Sequence, residues 1–456
     1  MKQANSGDPL AQHELGIRYL LGLGFSKDTT SAIFWINQAA EKNLSTAQFN
    51  MGIFSIKGIG LKWDPFEAFK QFEQAARNGF PQAQLAYGSD FIHGLIVNKN
   101  LDSAYIWIKK AADVDFEPAQ EILNSMLESG YTPPTDIDGE YQEKELVPEK
   151  ADAINLDWNI DFFDFESDST VDLTKDKVEN LFSMPSDELK KILQIEADSS
   201  QLKDTSNIKL VEYAAERGGP EALVMQGIAL ENGFNYKKDN IKAIFNYFTA
   251  MRNGSQRAGI LIYEMLKDGT VLKEIEKRAN SGDVDAKYVW AGIIAFGYDF
   301  SLLLDDALNL LEEAADNEHI PSLIELGVIY YKGEIIEQNK EKAYEYWQQA
   351  VLLGSKEAAV RLAITRIFNN DYNSSTLPQL VKTISDARED GIIIAETALG
   401  YCYENGIGIV IDKAEAARLY WNAATKGNQA GYISLKRMYD EVRPENSRYI
   451  IYEQSY

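Results

Sequence analysis

The sequence predicts an all-α solenoid, in which pairs of helices stack one on the next. Alanine recurs with a strict 36-residue period, and a Leu-Gly pair, a tyrosine, two loop glycines, an aspartate and an alanine pair return with it. Repeats of this length are typical of stacked supersecondary units. Each period contains two start signals for a helix, and no strand-like run alternates with the helices. The alanines of the first block are Ala11, Ala47, Ala83 and Ala119.

Proline and aspartate supply the helix start signals. The first helix begins at Asp8-Pro9 and extends to about Leu21, because an aspartate can cap a helix and the missing N–H of a first-turn proline costs nothing. The second helix begins after Asp28, and its counterpart Asp64-Pro65-Phe66-Glu67 adds a glutamate at the third helical position. Glycines such as Gly22-Leu23-Gly24 follow a helix and not a strand, so we interpret them as helix terminators and not as phosphate loops.

The array is interrupted once. We predict a first block over residues 1–132, an acidic and aromatic insertion over 133–204, a second block over 205–442 and a tyrosine-rich tail over 443–456. Because each unit of a solenoid packs on its neighbours alone, this length does not require several separate cores. The second block has about six units, whose first small residues are Ala222, Ala258, Ala286, Ser322, Ala358 and Ala395.

The pattern Ala-x3-Leu-Gly-x2-Tyr-x2-Gly-x-Gly-x3-Asp-x3-Ala-x2-Trp-x3-Ala-Ala resembles the Sel1-like repeat, a relative of the tetratricopeptide repeat. We expect the leucine, the tyrosine and the tryptophan to fill the space between the paired helices. In the first unit the pattern is carried by Ala11, Leu15-Gly16, Tyr19, Gly22, Gly24, Asp28, Ala32, Trp35 and Ala39-Ala40. The tryptophan is replaced in other units by Gln71, Asn246, Leu310, Tyr346 and Leu419.

This resemblance implies a right-handed α-solenoid of antiparallel helix pairs. It also implies a scaffold or adaptor that binds a protein, and not an enzyme. Because Sel1-like repeats also serve in bacteria as immunity proteins, a second hypothesis is an inhibitor that neutralises a toxin or effector enzyme by stoichiometric binding. A third hypothesis is an enzyme of unrecognised type.

The charge of the chain limits its partners. Its 45 basic and 70 acidic side chains give a net charge of −25 at pH 7, which opposes binding to nucleic acid phosphates and to anionic lipid. No apolar run approaches the roughly 20 residues that span a bilayer. We therefore expect a protein partner, one with a basic surface, and neither nucleic acid binding nor membrane insertion. Acidity is also a common way of keeping a protein soluble.

The sequence contains no convincing site for chemistry. His13, His93 and His319 are too far apart in the sequence for metal-ligand spacing on one helix. Cys402 is the single cysteine, which rules out an intrachain disulfide and favours the cytoplasm. We expect no catalytic residue, no metal and no cofactor. Residues 2–8 match the interior stretch 277–283, so an alternative is that Met1 stands at a trimmed boundary from which a leader was removed.

The first helices offer one candidate binding surface. Positions two residues before and after the repeat leucine lie roughly opposite it on the helix, because two helical residues turn about 200°. By resemblance to tetratricopeptide arrays, this face lines the concave surface and suits a peptide. The alternative is that these side chains pack on the neighbouring unit. They are His13, Ile17, Phe49, Ile53, Leu85 and Ser89.

The insertion offers a second candidate. Residues 133–204 contain 7 basic and 20 acidic side chains, together with a dense aromatic cluster. Three interpretations compete: the segment caps the exposed ends of the two blocks, it binds a basic partner through apolar anchors, or it is a flexible linker. The candidate contact residues are Asp157, Trp158, Asp161, Phe162, Phe163, Asp164 and Phe165.

Overall fold

A computed structural model describes residues 1–128, 131–133, 206–253, 255, 257–267, 269–295, 303–333 and 336–451. All regular secondary structure within these ranges is helical, which confirms the predicted all-α class. The described residues form two compact units. The first contains residues 1–133 and 436–451, and the second contains residues 206–435.

The first unit begins with a short helix and continues with three helix pairs and one further helix. Its helices are α1 (Lys2–Asn5), α2 (Pro9–Leu21), α3 (Thr29–Ala40), α4 (Ser45–Lys57), α5 (Pro65–Arg77), α6 (Pro81–His93), α7 (Leu101–Ala112) and α8 (Glu117–Glu128). The predicted start and end of α2 agree with the structure. Its cap, Asp8, accepts hydrogen bonds from the N–H groups of Leu10 and Ala11. Gly22 ends the helix in the left-handed conformation, at φ 74°.

The second unit contains one helix followed by six helix pairs. These helices are α9 (Ser206–Glu216), α10 (Pro220–Asn232), α11 (Asn240–Arg252), α12 (Arg257–Leu266), α13 (Thr270–Asn280), α14 (Val284–Ala295), α15 (Leu304–Ala315), α16 (Ile320–Lys332), α17 (Lys340–Leu352), α18 (Lys356–Phe368), α19 (Leu377–Glu389), α20 (Ile393–Asn405) and α21 (Lys413–Thr425). The division between the units falls within the next helix, α22 (Gln429–Val442), and a 3-10 turn follows at Ser447–Tyr449.

The glycine of the Leu-Gly pair brings the two helices of a unit together. A Cβ atom added at Gly16 would lie 2.5 Å from Cγ1 of Ile36, and one added at Gly88 would lie 2.7 Å from Cγ1 of Ile108. Ile36 is fully buried, whereas Trp35 is partly exposed. The expectation that Trp35 fills the space between the helices is therefore wrong, since the next residue along α3 points into it.

The small residues that begin the repeat units are buried, with one exception. Those that begin units two to four of the first block and all six units of the second block are fully buried. Ala11 is the exception and is partly exposed. The helix that precedes it in the described chain, α1, has four residues and covers less of it than a full helix would. The fully buried positions are Ala47, Ala83, Ala119, Ala222, Ala258, Ala286, Ser322, Ala358 and Ala395.

The last helix pair of the second unit touches the beginning of that unit. The side-chain nitrogen of Asn428 donates to the carbonyl oxygen of Asn253 at 3.0 Å. The N–H of Ile393 donates to the carbonyl oxygen of Arg217 at 3.2 Å. These bonds join residues 175 or more positions apart. The helix pairs of this unit therefore close on themselves.

A buried arginine links distant helices inside the second unit. Arg252 of α11 forms an ion pair with Glu357 of α18 at 3.2 Å, and its Nη1 donates to the hydroxyl of Tyr288 on α14 at 3.0 Å. Burial alone would raise the pKa of Glu357, but Arg252 and Arg361 lower it to about 2. This carboxylate is consequently charged in the folded protein at neutral pH.

Candidate protein-binding surface

The predicted contact residues of the insertion lie outside the described residues. They are Asp157, Trp158, Asp161, Phe162, Phe163, Asp164 and Phe165. Their role in binding a partner stays a prediction.

The apolar candidates on the first helices are buried. Ile17, Phe49, Ile53 and Leu85 all lie in the packing between helices. Phe49, for example, has its ring centroid 5.5 Å from that of Phe72 and 5.2 Å from that of Phe80. This corrects the expectation of an accessible apolar lining, because a helix in a stacked array is covered on more than the face that meets its own partner.

The two polar candidates are also occupied within the fold. Nε2 of His13 lies 2.8 Å from the side-chain nitrogen of Asn50, and burial lowers the pKa of His13 to about 4. The hydroxyl of Ser89 donates to the carbonyl oxygen of Leu85 at 2.9 Å. Neither side chain is presented to a partner by these contacts.

A different surface of the first unit holds a segment of the chain itself. It begins on α5, where Asp64 caps the helix by accepting from the N–H groups of Phe66 and Glu67. Phe66, Phe69 and Glu73 follow at helical spacings of three and four, which place them on one face. We call this face, together with Trp63, Tyr87 and the carbonyl groups of Leu95 and Ile96, the tail-binding surface.

Arg443 anchors one end of the bound segment. Its Nη2 donates to the carbonyl oxygen of Leu95 at 2.8 Å, and its Nη1 donates to that of Ile96 at 3.2 Å. The same guanidinium group lies 5.1 Å from the ring centroid of Phe66. Because arginine has only hydrogen-bond donors, backbone carbonyl oxygens are suitable partners for it. Arg443 is therefore held by a ring and two backbone acceptors of the surface, and within its own part of the chain by the carboxylate of Asp440 and the carbonyl oxygen of Tyr449.

Arg448 and Tyr449 anchor the other end. Nη1 of Arg448 contacts Oε2 of Glu73 at 2.7 Å, and its guanidinium lies 5.0 Å from the ring centroid of Phe69. Tyr449 is 3% exposed and packs edge to face on Phe66 with the ring centroids 5.1 Å apart. Burial acts to raise the pKa of Glu73, but hydrogen bonds from Arg448 and Arg77 lower it. Glu73 is thus charged and forms an ion pair with Arg448.

Tyr439 of α22 completes the contact. Its ring packs edge to face on Trp63 with the centroids 5.6 Å apart. Nε1 of Trp63 is buried and has no hydrogen-bond partner within the described residues. Burial, and then the charge of Asp90, raise the pKa of Tyr439, and burial raises the pKa of Asp90 to about 8. The tail-binding surface therefore contains one unused donor and borders one carboxyl group that is protonated near neutral pH.

The sequence predicts the tyrosine-rich tail over residues 443–456 but no role for it. The signal that could have found this surface is a pair of arginines, Arg443 and Arg448, followed by Tyr449 in an otherwise acidic chain. The sequence does not indicate where such a segment binds, because the contact joins residues as many as 375 positions apart.

The described residues contain no group of three or more His, Cys, Asp or Glu side chains that could hold a metal ion. Cys402 is buried, and burial raises its pKa to about 12, which keeps the thiol protonated. Within the ranges that the structure describes, no helix has the length and apolar character needed to cross a membrane.

The repeat pattern also matches a known family. The Sel1 repeat matches residues 9–44, 45–80, 81–115, 220–255, 320–355 and 393–428. A Sel1 repeat protein from Oxalobacter formigenes, of known structure, is 38% identical, and the match covers 27% of this chain and 92% of that one, with a TM-score of 0.27. The chain belongs to the Sel1 repeat family. The tail-binding surface lies on its second and third Sel1 repeats and on the loop within the third.

Two further proteins are similar to this Sel1 repeat chain. A protective antigen of uropathogenic Escherichia coli strains is 19% identical, covers 97% of this chain and 90% of its own, and has a TM-score of 0.34. The chitin synthase regulator SKT5 of Saccharomyces cerevisiae is 27% identical over 244 residues, which make up 48% of this chain. The chain spans 34% of the length of SKT5.

Proposed function

We propose that this Sel1 repeat chain is a non-enzymatic scaffold that binds a segment of another protein. The observation that carries the proposal is the tail-binding surface, which holds an arginine- and tyrosine-containing segment through rings, backbone carbonyls and a carboxylate. Such a surface recognises a peptide by a few anchoring side chains. The acidic character of the chain, with a net charge of −25, favours a partner that presents basic side chains.

The name of SKT5 describes a regulator of another protein, and this supports a role exerted through binding. The location that we propose is the cytoplasm, where a chain with one buried cysteine needs no disulfide.

Affinity capture with the full chain tests the scaffold function. Glu73→Lys reverses the charge of the tail-binding surface, and Glu41→Lys, at the exposed end of α3, is the matched control. All forms carry Arg448→Ala/Tyr449→Ala, so that the chain's own segment, which also contacts Glu73, does not compete. We expect a captured protein that binds the otherwise unchanged chain and the control at a fixed stoichiometry and binds Glu73→Lys about ten-fold more weakly or worse, which is the loss of one charged hydrogen bond. A captured protein that binds all three forms equally contradicts the proposed surface. Loss of a captured enzyme's activity at a 1:1 ratio indicates the inhibitor hypothesis instead.

A further inference from the structure

We propose that residues 443–451 occupy in cis a recognition site for a partner segment of the same chemistry, namely two arginines five positions apart with a tyrosine directly after the second. The chain's own segment is then a tethered competitor, and a partner must displace it. That a partner protein uses this site rests on the proposed scaffold function. That the chain's own segment competes with a free peptide for the site does not.

The segment is held at a few points and is otherwise exposed. Arg443 and Tyr449 are largely buried, with a side-chain exposure of 15% for the arginine and a residue exposure of 3% for the tyrosine. The intervening residues 445–448 are exposed. A segment that belonged to the core would be covered along its length, so this distribution is typical of a bound peptide with two anchors.

The tail-binding surface recognises the guanidinium groups of Arg443 and of the more exposed Arg448, and not merely their positive charge. Arg443 reaches two neighbouring carbonyl oxygens while its plane lies near Phe66. Arg448 reaches Glu73 and the hydroxyl of Tyr87, at 2.7 and 3.1 Å, while its plane lies near Phe69. A lysine has its three donors on one nitrogen, whereas the guanidinium spreads its donors over three nitrogens in one plane, so a lysine fits two divergent acceptors and a ring less well.

The backbone of the segment is only lightly fixed. Its regular structure is the single 3-10 turn at Ser447–Tyr449, in which Asn446 caps the N–H of Arg448. The carbonyl oxygen of Ile450 accepts a hydrogen bond from the side chain of Asn98 at 2.8 Å. Few backbone hydrogen bonds therefore have to be broken when the segment leaves.

The chain's own segment also leaves the site incompletely used. Nε1 of Trp63 is buried beneath Tyr439 and has no acceptor within the described residues. A buried donor without a partner costs free energy. A partner that displaces Tyr439 of α22 as well as residues 443–451, and offers an oxygen acceptor at this point, gains a hydrogen bond that the chain's own residues do not make.

Tethering sets the size of the expected competition. A segment linked to its own site acts at an effective concentration in the millimolar range. A free peptide of micromolar affinity therefore binds the intact chain only weakly. Release of the tethered segment exposes the intrinsic affinity of the surface.

Fluorescence polarisation with a labelled peptide of residues 443–451 tests this competition in the full chain. The variant Arg448→Ala/Tyr449→Ala weakens the tethered segment, and Glu445→Ala/Ser447→Ala, which changes two exposed residues of the same segment, is the matched control. We expect the first variant to bind the peptide about ten-fold more tightly or better than the wild type, and the control to match the wild type. A peptide with both arginines changed to lysine should bind that variant about ten-fold more weakly.

Hydrogen exchange of the wild type provides a second measurement. We expect the amide of Ile450 to exchange about ten-fold faster or more than the amides in the middle of α5, because the segment opens without unfolding of the unit. Equal protection of the segment and α5, or failure of Arg448→Ala/Tyr449→Ala to fold, overturns the proposal and makes the segment part of the core. If Arg448→Ala/Tyr449→Ala folds and binds the peptide with the affinity of the wild type, the proposal is also overturned. The same holds if the variant loses a dimer of the wild type, since the segment would then bind a second copy of the chain. The assay uses no partner protein, so its failure leaves the scaffold function to be judged by affinity capture.

Discussion

At the scale of single residues, the repeat glycine determines which side chain packs between two helices. Rings of the second helix lie against the glycines of several units, and an added Cβ would meet the ring in each case. These rings occupy the position after the repeat tryptophan, so the same register holds for aromatic and aliphatic residues alike. The pairs are Gly52 with Phe72, Gly227 with Tyr247, Gly327 with Trp347 and Gly400 with Tyr420.

Gly327→Ala should destabilise the second unit by about 2 kcal/mol, which is typical of overpacking in a well-filled core. Trp347 cannot retreat easily, because it is buried and its Nε1 donates to the carbonyl oxygen of Ile324 at 3.1 Å. Urea unfolding measures the effect. The double variant Gly327→Ala/Trp347→Leu should cost less than the two single changes added together, since the smaller side chain makes room. Strict additivity would show that the two residues do not compete for space.

Arg252→Met should destabilise the protein by about 3 kcal/mol at pH 7, because it leaves the charge of Glu357, a partly buried side chain, compensated mainly by Arg361. The pKa of Glu357 is lowered to about 2, so the stability that its charge contributes is complete above its usual pKa and is lost as the pH falls toward 2. The difference between the variant and the wild type should consequently shrink between pH 5 and pH 3 in urea unfolding.

The matched control for Arg252 is Arg437→Met, which removes a more exposed ion pair with Glu441 on α22. Its cost should be below about 0.5 kcal/mol. A similar cost for both arginines would contradict the importance of burial.

At the scale of elements, α6 meets α22 at a carboxyl group whose protonation matters. Burial raises the pKa of Asp90 to about 8, so the folded protein retains a proton that the unfolded chain releases near pH 4. The free energy of unfolding should therefore fall as the pH rises from about 4 to about 8. Asp90→Asn should raise the melting temperature at pH 8.5 and have little effect at pH 4. An equal gain at both pH values would assign the effect to packing instead of charge.

The helices could be predicted from the sequence because their signals are local. Asp8 and Asp64 cap the helices that they precede, and Gly22 ends one, each through bonds to residues within four positions. The tail-binding surface could not be predicted, because its contacts join α5 to residues hundreds of positions later. The placement of Ile17 and Phe49 failed for a related reason: a single-helix projection leaves out the neighbouring units that cover those positions.

At the scale of the whole molecule, a net charge of −25 repels itself in any compact state. Raising NaCl from 0.01 to 0.15 M shortens the screening length from about 30 Å to about 8 Å. The melting temperature should rise by a few degrees, while binding of the arginine peptide to the tail-binding surface should weaken. A melting temperature that falls over this range would show that attractive ion pairs outweigh the repulsion.

The bond between Asn428 and Asn253 has a consequence for how this gene can change. Open arrays lengthen and shorten freely when recombination duplicates or deletes one repeat, since each new copy needs only two neighbours. Inside the second unit, an added or deleted copy would move Asn428 away from Asn253 and break the closure. Selection should therefore hold the copy number of this unit constant among descendants of this gene and tolerate sequence drift within each copy far more readily.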